Sequence, residues 1–462
     1  MSRGSGSTGR ADLVSWMCGS REVDGLAAVS RSHGTMVAMT ASVPPQRPTV
    51  ELREVARGVY APALVFEVGV GAIMPIIPLS AVALGANLAV AGVLVALLGV
   101  GQIVGDVPAG ALAARIGDRR AMLVAAALSV LALMGCALAP NLWVLGAGVV
   151  CVGATNAVFT LARQSYLTEV IPVLKRARAL STLGGVQRIG AFIGPFIGAG
   201  VVHLVDLSGV YWLAVLTSLV AGLVVLVVPD VAGAESVRRR HAAVTVPMRT
   251  VLRQNARVFL TLGFAVMAVG AVRASRQVVL PLWSQQLGFS PATTSIVFGI
   301  SGAVDMLLFY PAGKVMDRRG RLWVAIPSMV VLGCAILALP MTTTLAGVTV
   351  AAMVMGLGNG IGAGILMTLG ADVAPAAVRP QFLGIWRLFS DAGVAGGPLV
   401  VAAGAALGSL AAGIGAMGAV GLLAAAGLAR WVPRWSDHAN ATTRRRAAQR
   451  ATEPPGPPPM AT

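Results

Sequence analysis

Nine ionisable side chains sit inside stretches of sequence that are otherwise almost wholly apolar: Glu67, Asp106, Arg163, Arg188, Arg273, Arg276, Asp305, Arg387 and Asp391. A charge at the centre of a hydrocarbon layer costs about 2.5–3.5 kcal/mol on insertion scales, so each such residue is a candidate for function. A carboxyl group suits proton carriage, because desolvation raises its proton affinity and a neighbouring cation lowers it. Glu67, Asp305 and Asp391 are therefore the proton-coupling candidates, with Glu67 foremost. Arg163, Arg188, Arg273, Arg276 and Arg387 are candidate substrate or gating charges, with Gln102 as a polar companion. Arg273 and Arg276 would attract an anionic substrate group or hold a gate shut. The plainer alternative is that these charges pair and lock helix packing.

The elements that must position them follow from composition. Of 462 residues, 56% are hydrophobic and 11% charged, against about 25% charged in soluble proteins. Apolar runs recur from about residue 58 to 430, many longer than the roughly 20 residues that cross a bilayer. They lack the period-two alternation of barrel strands, so the fold class is an all-α integral membrane protein. Twelve spans are predicted, at 59–80, 88–112, 121–139, 142–166, 179–203, 209–228, 257–283, 291–313, 321–340, 344–369, 380–402 and 407–429.

Alternate connections carry the basic residues. Arg115, Arg119 and Arg120 follow span 2, Lys175, Arg176 and Arg178 follow span 4, and Arg238, Arg239 and Arg240 follow span 6. Lys314, Arg318, Arg319 and Arg321 follow span 8, and Arg379 follows span 10, whereas 81–87, 140–141, 284–290 and 341–343 hold no Lys or Arg. This parity predicts a multi-pass inner (plasma) membrane protein with both termini cytoplasmic. It also accounts for the net charge of +17 without a nucleic-acid partner. Residues 1–57 and 431–462 read as polar, disordered cytoplasmic tails, the latter ending in a Pro-rich stretch. Cys18, Cys136, Cys151 and Cys334 show no metal spacing. There is no nucleotide-binding glycine loop or catalytic triad, so no enzyme, cofactor or metal is expected.

The chain also repeats itself. Pro78 and Pro281 lie 203 residues apart, as do Gly85 and Gly288, Gly110 and Gly313, Pro172 and Pro375, Glu169 and Asp372, Gly190 and Gly393, and Pro195 and Pro398. A constant offset predicts two six-helix halves in parallel repeat, 58–228 and 257–430, joined by a basic linker at 229–256. Repeats of this kind permit alternating access, with substrate held between the halves near midplane. Glu67, Arg188, Asp305 and Asp391 lie about eight to eleven residues from the inner ends of their spans, near or just inside the midplane at 1.5 Å per residue. Arg163 and Asp106 fall nearer the cytoplasm, and Arg273 and Arg276 in the outer half.

Residues 58–430 resemble the major facilitator superfamily. The connection after span 8 matches that family's G-x-L-a-D-r-x-G-r-r motif through Gly313, Val315, Asp317, Arg318, Gly320 and Arg321. The connection after span 2 gives Gly110, Leu112, Arg115, Gly117, Arg119 and Arg120, with Ala114 where the family has its Asp. The resemblance implies that these residues help close the cytoplasmic side. In span 5, Gly190, Gly194, Pro195 and Gly198 resemble the antiporter signature of the twelve-helix drug–proton branch. Glycines at this spacing also let helices approach and proline bends them, which suits a gating helix between the halves. The family's early arginine in span 4 is absent, Arg163 being the nearest candidate. In the family, helix 5 faces helix 8 and helix 2 faces helix 11. That implies an Arg188–Asp305 pair, and Asp391 looking toward Gln102. The resemblance implies a monomeric secondary transporter that exchanges protons for small amphipathic molecules, with uptake of a nutrient or anion, or a non-transporting receptor, as alternatives.

Overall fold

The computed structural model describes residues 56–171, 173–227, 247–375 and 378–452. The N-terminal tail to residue 55, Pro172, linker residues 228–246 and the end of the C-terminal tail lie outside the described residues. The described residues form helices with no strand among them. Twelve of these helices are long and apolar enough to cross a membrane. They are α1 (Gly58–Ala83), α2 (Leu88–Ile116), α3 (Asp118–Ala137), α4 (Leu142–Val170), α5 (Val173–Leu204) and α6 (Leu207–Val227). The second six are α7 (Ala256–Gln286), α8 (Pro291–Arg319), α9 (Leu322–Met341), α10 (Leu345–Val373), α11 (Arg379–Ala406) and α12 (Leu410–Trp435).

Local sequence sets the helix ends. Each even-numbered helix begins at one end of the bundle, behind a polar cap. Asn87, Asn141, Ser290, Thr344 and Ser409 each accept a hydrogen bond from a backbone N–H of the first turn of α2, α4, α8, α10 and α12. Asp206 serves α6 by accepting from the Gly209 N–H at 2.8 Å. Such caps satisfy donors that a helix start leaves open. The opposite, basic end of the bundle uses tight turns. Gly117 (φ 93°) joins α2 to α3, and Gly320 (φ 107°) follows α8, a left-handed backbone that glycine adopts at little cost. Arginines cap helix C-termini there: Arg119 donates to the Val225 and Leu226 carbonyls at the end of α6, at 3.1 and 2.9 Å. A cation is favoured at that end of a helix dipole.

The repeat is visible in the packing. α1 packs on α5 and α6, α2 on α4, and α3 on α4 and α6. In the second half α7 packs on α11 and α12, α8 on α10, and α9 on α10 and α12, the same pattern six helices later. Gly117 and Gly320 stand at the 203-residue offset as well. The halves meet through two symmetry-related pairs, α2 with α11 and α5 with α8. Gly92 and Gly99 of α2 back onto Ala402 and Ala395 of α11, while Gly299 and Gly302 of α8 face Phe196 and Phe192 of α5. These approaches lie between midspan and the capped end. Nearer the basic end of α5 and α8, a Cβ added at Gly184 or Gly313 would meet nothing within 4 Å.

Two expectations change. The α5 glycine motif does not lie between the halves: a Cβ on Gly190 would fall 2.6 Å from the Glu67 Cβ, and Gly194 backs onto Val68 and Ala72. The glycine stripe is the face α5 turns to α1, and its phenylalanines turn to α8. Gly393 and Gly397 of α11 back onto Met267 and Ala271 of α7 in the same way. The second change concerns the C-terminal tail. α12 runs to Trp435, and a further helix, α13 (Ala441–Thr452), follows where an unstructured tail is expected. Backbone bonds from Arg321 N to His438 O and Leu322 N to Ala439 O tie this segment to the α8–α9 turn. Arg444 adds bonds to the Asp317 and Arg318 carbonyls at 2.9 and 3.1 Å. Tertiary bonds order a segment whose composition alone is that of a solvated chain.

Candidate functional site

The intramembrane charges gather into three clusters. In the first half, α1, α4 and α5 bring Glu67, Arg163 and Gln187 together. Arg163 Nη2 and Gln187 Nε2 both donate to Glu67 Oε1, at 3.3 and 3.1 Å. Arg163 is fully buried over the Phe159 ring, which stacks on Phe66 with centroids 4.3 Å apart. Its Nε and Nη1 have no acceptor among the described residues. Glu67 keeps 12% of its side chain exposed. It is thus a carboxylate with a single guanidinium partner at an apolar, thinly wetted position.

The second cluster joins the halves. Arg188 of α5 donates to Asp305 Oδ1 of α8 at 2.7 Å, the pair expected from the helix 5–helix 8 facing. Asn359 of α10 donates to the other oxygen of Asp305 at 2.6 Å and accepts from Arg273 Nε at 2.8 Å. Arg273 also donates to the Gly362 carbonyl at 3.1 Å, which α10 leaves open where it breaks before Gly364 (φ 75°). Arg276 donates to Ser301 at 3.2 Å and approaches Asp305 at 3.7 Å. The depth estimate placed Arg273 and Arg276 above Asp305, but their side chains reach down to its level. Asn359, Gln187 and Ser301 were missed, although an amide within an otherwise apolar span was a usable signal.

The third cluster lies on α2 and α11. The close approaches of Gly92 to Ala402 and Gly99 to Ala395 fix an antiparallel register that places Asp106 opposite Arg387, at 2.9 Å. Arg387 also reaches Asp391, one turn along α11, at 3.4 Å. Asp391 therefore turns to Arg387 and Asp106 rather than to Gln102.

At the basic end, the second-half motif holds together through Arg321, whose Nε and Nη2 grip both oxygens of Asp372 at 2.9 and 3.2 Å. Arg321 is also 3.8 Å from Asp317. Gly313 lies within α8, and Gly320 forms the turn. In the first-half motif Arg119 is bound to the end of α6, Gly110 lies within α2, and Arg115 and Arg120 are exposed, as is Arg318 in the second. No group of His, Cys, Asp and Glu among the described residues is arranged to hold a metal ion.

Over residues 63–398, and again over 262–456, the chain matches the family described as Major Facilitator Superfamily. Among curated proteins it is similar to the multidrug resistance protein MdtH of Cronobacter sakazakii, 25% identical over 308 residues that cover 64% of this chain and 74% of that protein. Among solved structures it resembles a POT family transporter (TM-score 0.67, 14% identity, 83% of this chain and 96% of the other). It also resembles the nucleoside transporter NupG (TM-score 0.66, 12% identity, 82% and 99%). At these identities the structural likeness speaks for the fold alone.

Proposed function

The chain belongs to the major facilitator superfamily, and on that premise we propose that this membrane transporter is a proton-coupled exporter of small amphipathic molecules. The observation that carries the reading is the Glu67 site. In this reading Glu67, a carboxylate 12% exposed and bonded to a fully buried guanidinium, carries the proton in exchange with its bond to Arg163. Gly190 presses α5 against the Cβ of this same residue, so a shift of α5 on α1 is felt at the proton site. The efflux direction draws on the resemblance of the α5 motif to antiporters and on the similarity to proteins named for multidrug resistance.

In this reading both termini and the linker at 229–256 are cytoplasmic, as the basic turns at one end of the bundle favour. The approaches of α2 to α11 and of α5 to α8 then close the outer side. Arg188–Asp305 and Arg387–Asp106 are the polar bridges at the floor of that closure, and Arg321–Asp372 helps form the cytoplasmic gate. Asp305 and Asp391 are the further coupling candidates.

The test is proton movement. In inverted vesicles with an acid interior, addition of a transported compound from a panel of amphipathic cations, anions and neutral molecules discharges the pH gradient. If no compound does so, while right-side-out vesicles accumulate an organic acid together with protons, the direction is uptake and the export reading falls.

A further inference from the structure

Three guanidinium groups converge on one carboxylate in the second cluster. Asp305 binds Arg188 at 2.7 Å and stands 3.7 Å from Arg276, while Arg273 reaches it through Asn359. One negative charge against three leaves two positive charges uncompensated. The other acceptors there satisfy hydrogen bonds without cancelling charge: the Asn359 amide and the Gly362 carbonyl for Arg273, and the Ser301 hydroxyl for Arg276. Arg276 Nε is buried with no acceptor among the described residues. The remaining intramembrane acids are spent elsewhere, Glu67 on Arg163 and the pair Asp106 and Asp391 on Arg387. Buried cations short of counter-charge are costly and call for an anion.

The cluster is not sealed, since Arg188 and Arg276 keep 22% and 13% of their side chains exposed. Their guanidinium carbons lie over the Phe309 and Phe298 rings, at 5.0 and 5.8 Å from the ring centroids. The rings favour the cations and set an apolar wall beside them.

We propose that Arg188, Arg273 and Arg276 form the binding site for an anionic group on the transported molecule, a carboxylate, sulfonate or phosphate ester carried on an apolar body. The anion takes over N–H groups of Arg188 and Arg276 from Asp305, and so weakens the bridge that joins the halves. Binding is thereby tied to the opening of the α5–α8 contact. An anion leaving a cell that is negative inside moves with the membrane potential, which agrees with efflux. The inference rests on the transporter reading for its biological use, but its test involves neither a gradient nor a direction.

Four probes of one shape decide it: 2-naphthoate, 2-naphthalenesulfonate, neutral 2-naphthamide and cationic 2-naphthylmethylammonium. Each is titrated calorimetrically into the full chain in nanodiscs of zwitterionic lipid, with empty nanodiscs as the blank. The two anions are expected to bind about tenfold or more tightly than the amide, as charge-assisted bonds imply. In Arg276→Gln and Arg273→Gln that preference should collapse, and Arg276→Lys should recover part of it. Should the glutamine variants fail to fold, the wild-type ranking decides alone. Equal binding of all four, preference for the ammonium, no binding by either anion, or an anion preference that survives both glutamine variants would overturn the proposal.

Discussion

Replacing Arg188 by Gln removes the shortest polar link between the two halves, a charge-assisted bond of 2.7 Å. Bonds to charged groups contribute about 1.5–3 kcal/mol net. With side chains 22% and 12% exposed, solvent screening puts this one toward the lower end, at about 2 kcal/mol. That amount shifts the equilibrium between the form closed at the capped end and its alternative by about 30-fold. Asp305→Asn should act more strongly, by about 3 kcal/mol, because it leaves three guanidinium groups facing one another without a counter-charge. The assay is the distance distribution between spin labels at Leu204 and Leu407, highly exposed residues at the capped ends of α5 and α11. The wild type should show mainly the short distance, and Arg188→Gln a clear gain of a longer one. The charge swap Arg188→Asp with Asp305→Arg should restore part of the short population. An unchanged distribution in both single variants, or strictly additive effects in the double, would refute the claim that this pair holds the halves together.

Gly190→Ala should cost about 1–3 kcal/mol in thermal unfolding and impair proton coupling, since the new Cβ meets Glu67 at 2.6 Å. Gly198→Ala, whose Cβ would rest 3.4 Å from Ala72, should leave both unchanged. Asn359→Leu removes both the donor to Asp305 and the acceptor of Arg273 Nε and should cost about 1–3 kcal/mol in thermal unfolding. Asp206→Ala removes the cap of α6 and should destabilise the chain by about 1 kcal/mol. The Ser208 hydroxyl and the Gly209 N–H hold the Asp206 carboxyl below its usual range. Its contribution should therefore be complete above the ordinary carboxylate pKa and vanish as pH falls through the lowered value, which thermal unfolding of wild type and variant across that window will show.

The fold was legible because the physics that sets it is averaged over long stretches. Hydropathy marks the spans, Lys and Arg parity marks their alternation, and the 203-residue offset marks the halves. The site was legible only where one helix pairing decided a contact, as with Arg188 and Asp305. Rotation of a helix about its own axis is not written in its composition, so Glu67 with Arg163, and Asp106 with Arg387, emerged only from the packing. The glycines and proline of α5 suit a gating helix between the halves, and α5 does pack there on α8, but glycine spacing says that a face is smooth and not which neighbour it meets. Asn359 carries no charge and drew no notice, yet it links Arg273 to Asp305. The order of residues 436–444 depends on carbonyls and N–H groups of the α8–α9 turn, over a hundred positions earlier, and no local pattern announces it.

Proton release on substrate binding tests the central claim most directly. A compound that discharges the vesicle gradient is added to purified protein in weakly buffered solution with a soluble pH indicator, at pH values across the neutral range. Proton-coupled exchange through Glu67 predicts release by the wild type and none by Glu67→Gln, with that variant still folded and still binding the compound. Release from Glu67→Gln equal to that of the wild type, or normal gradient-driven transport by the variant at every pH, would contradict it.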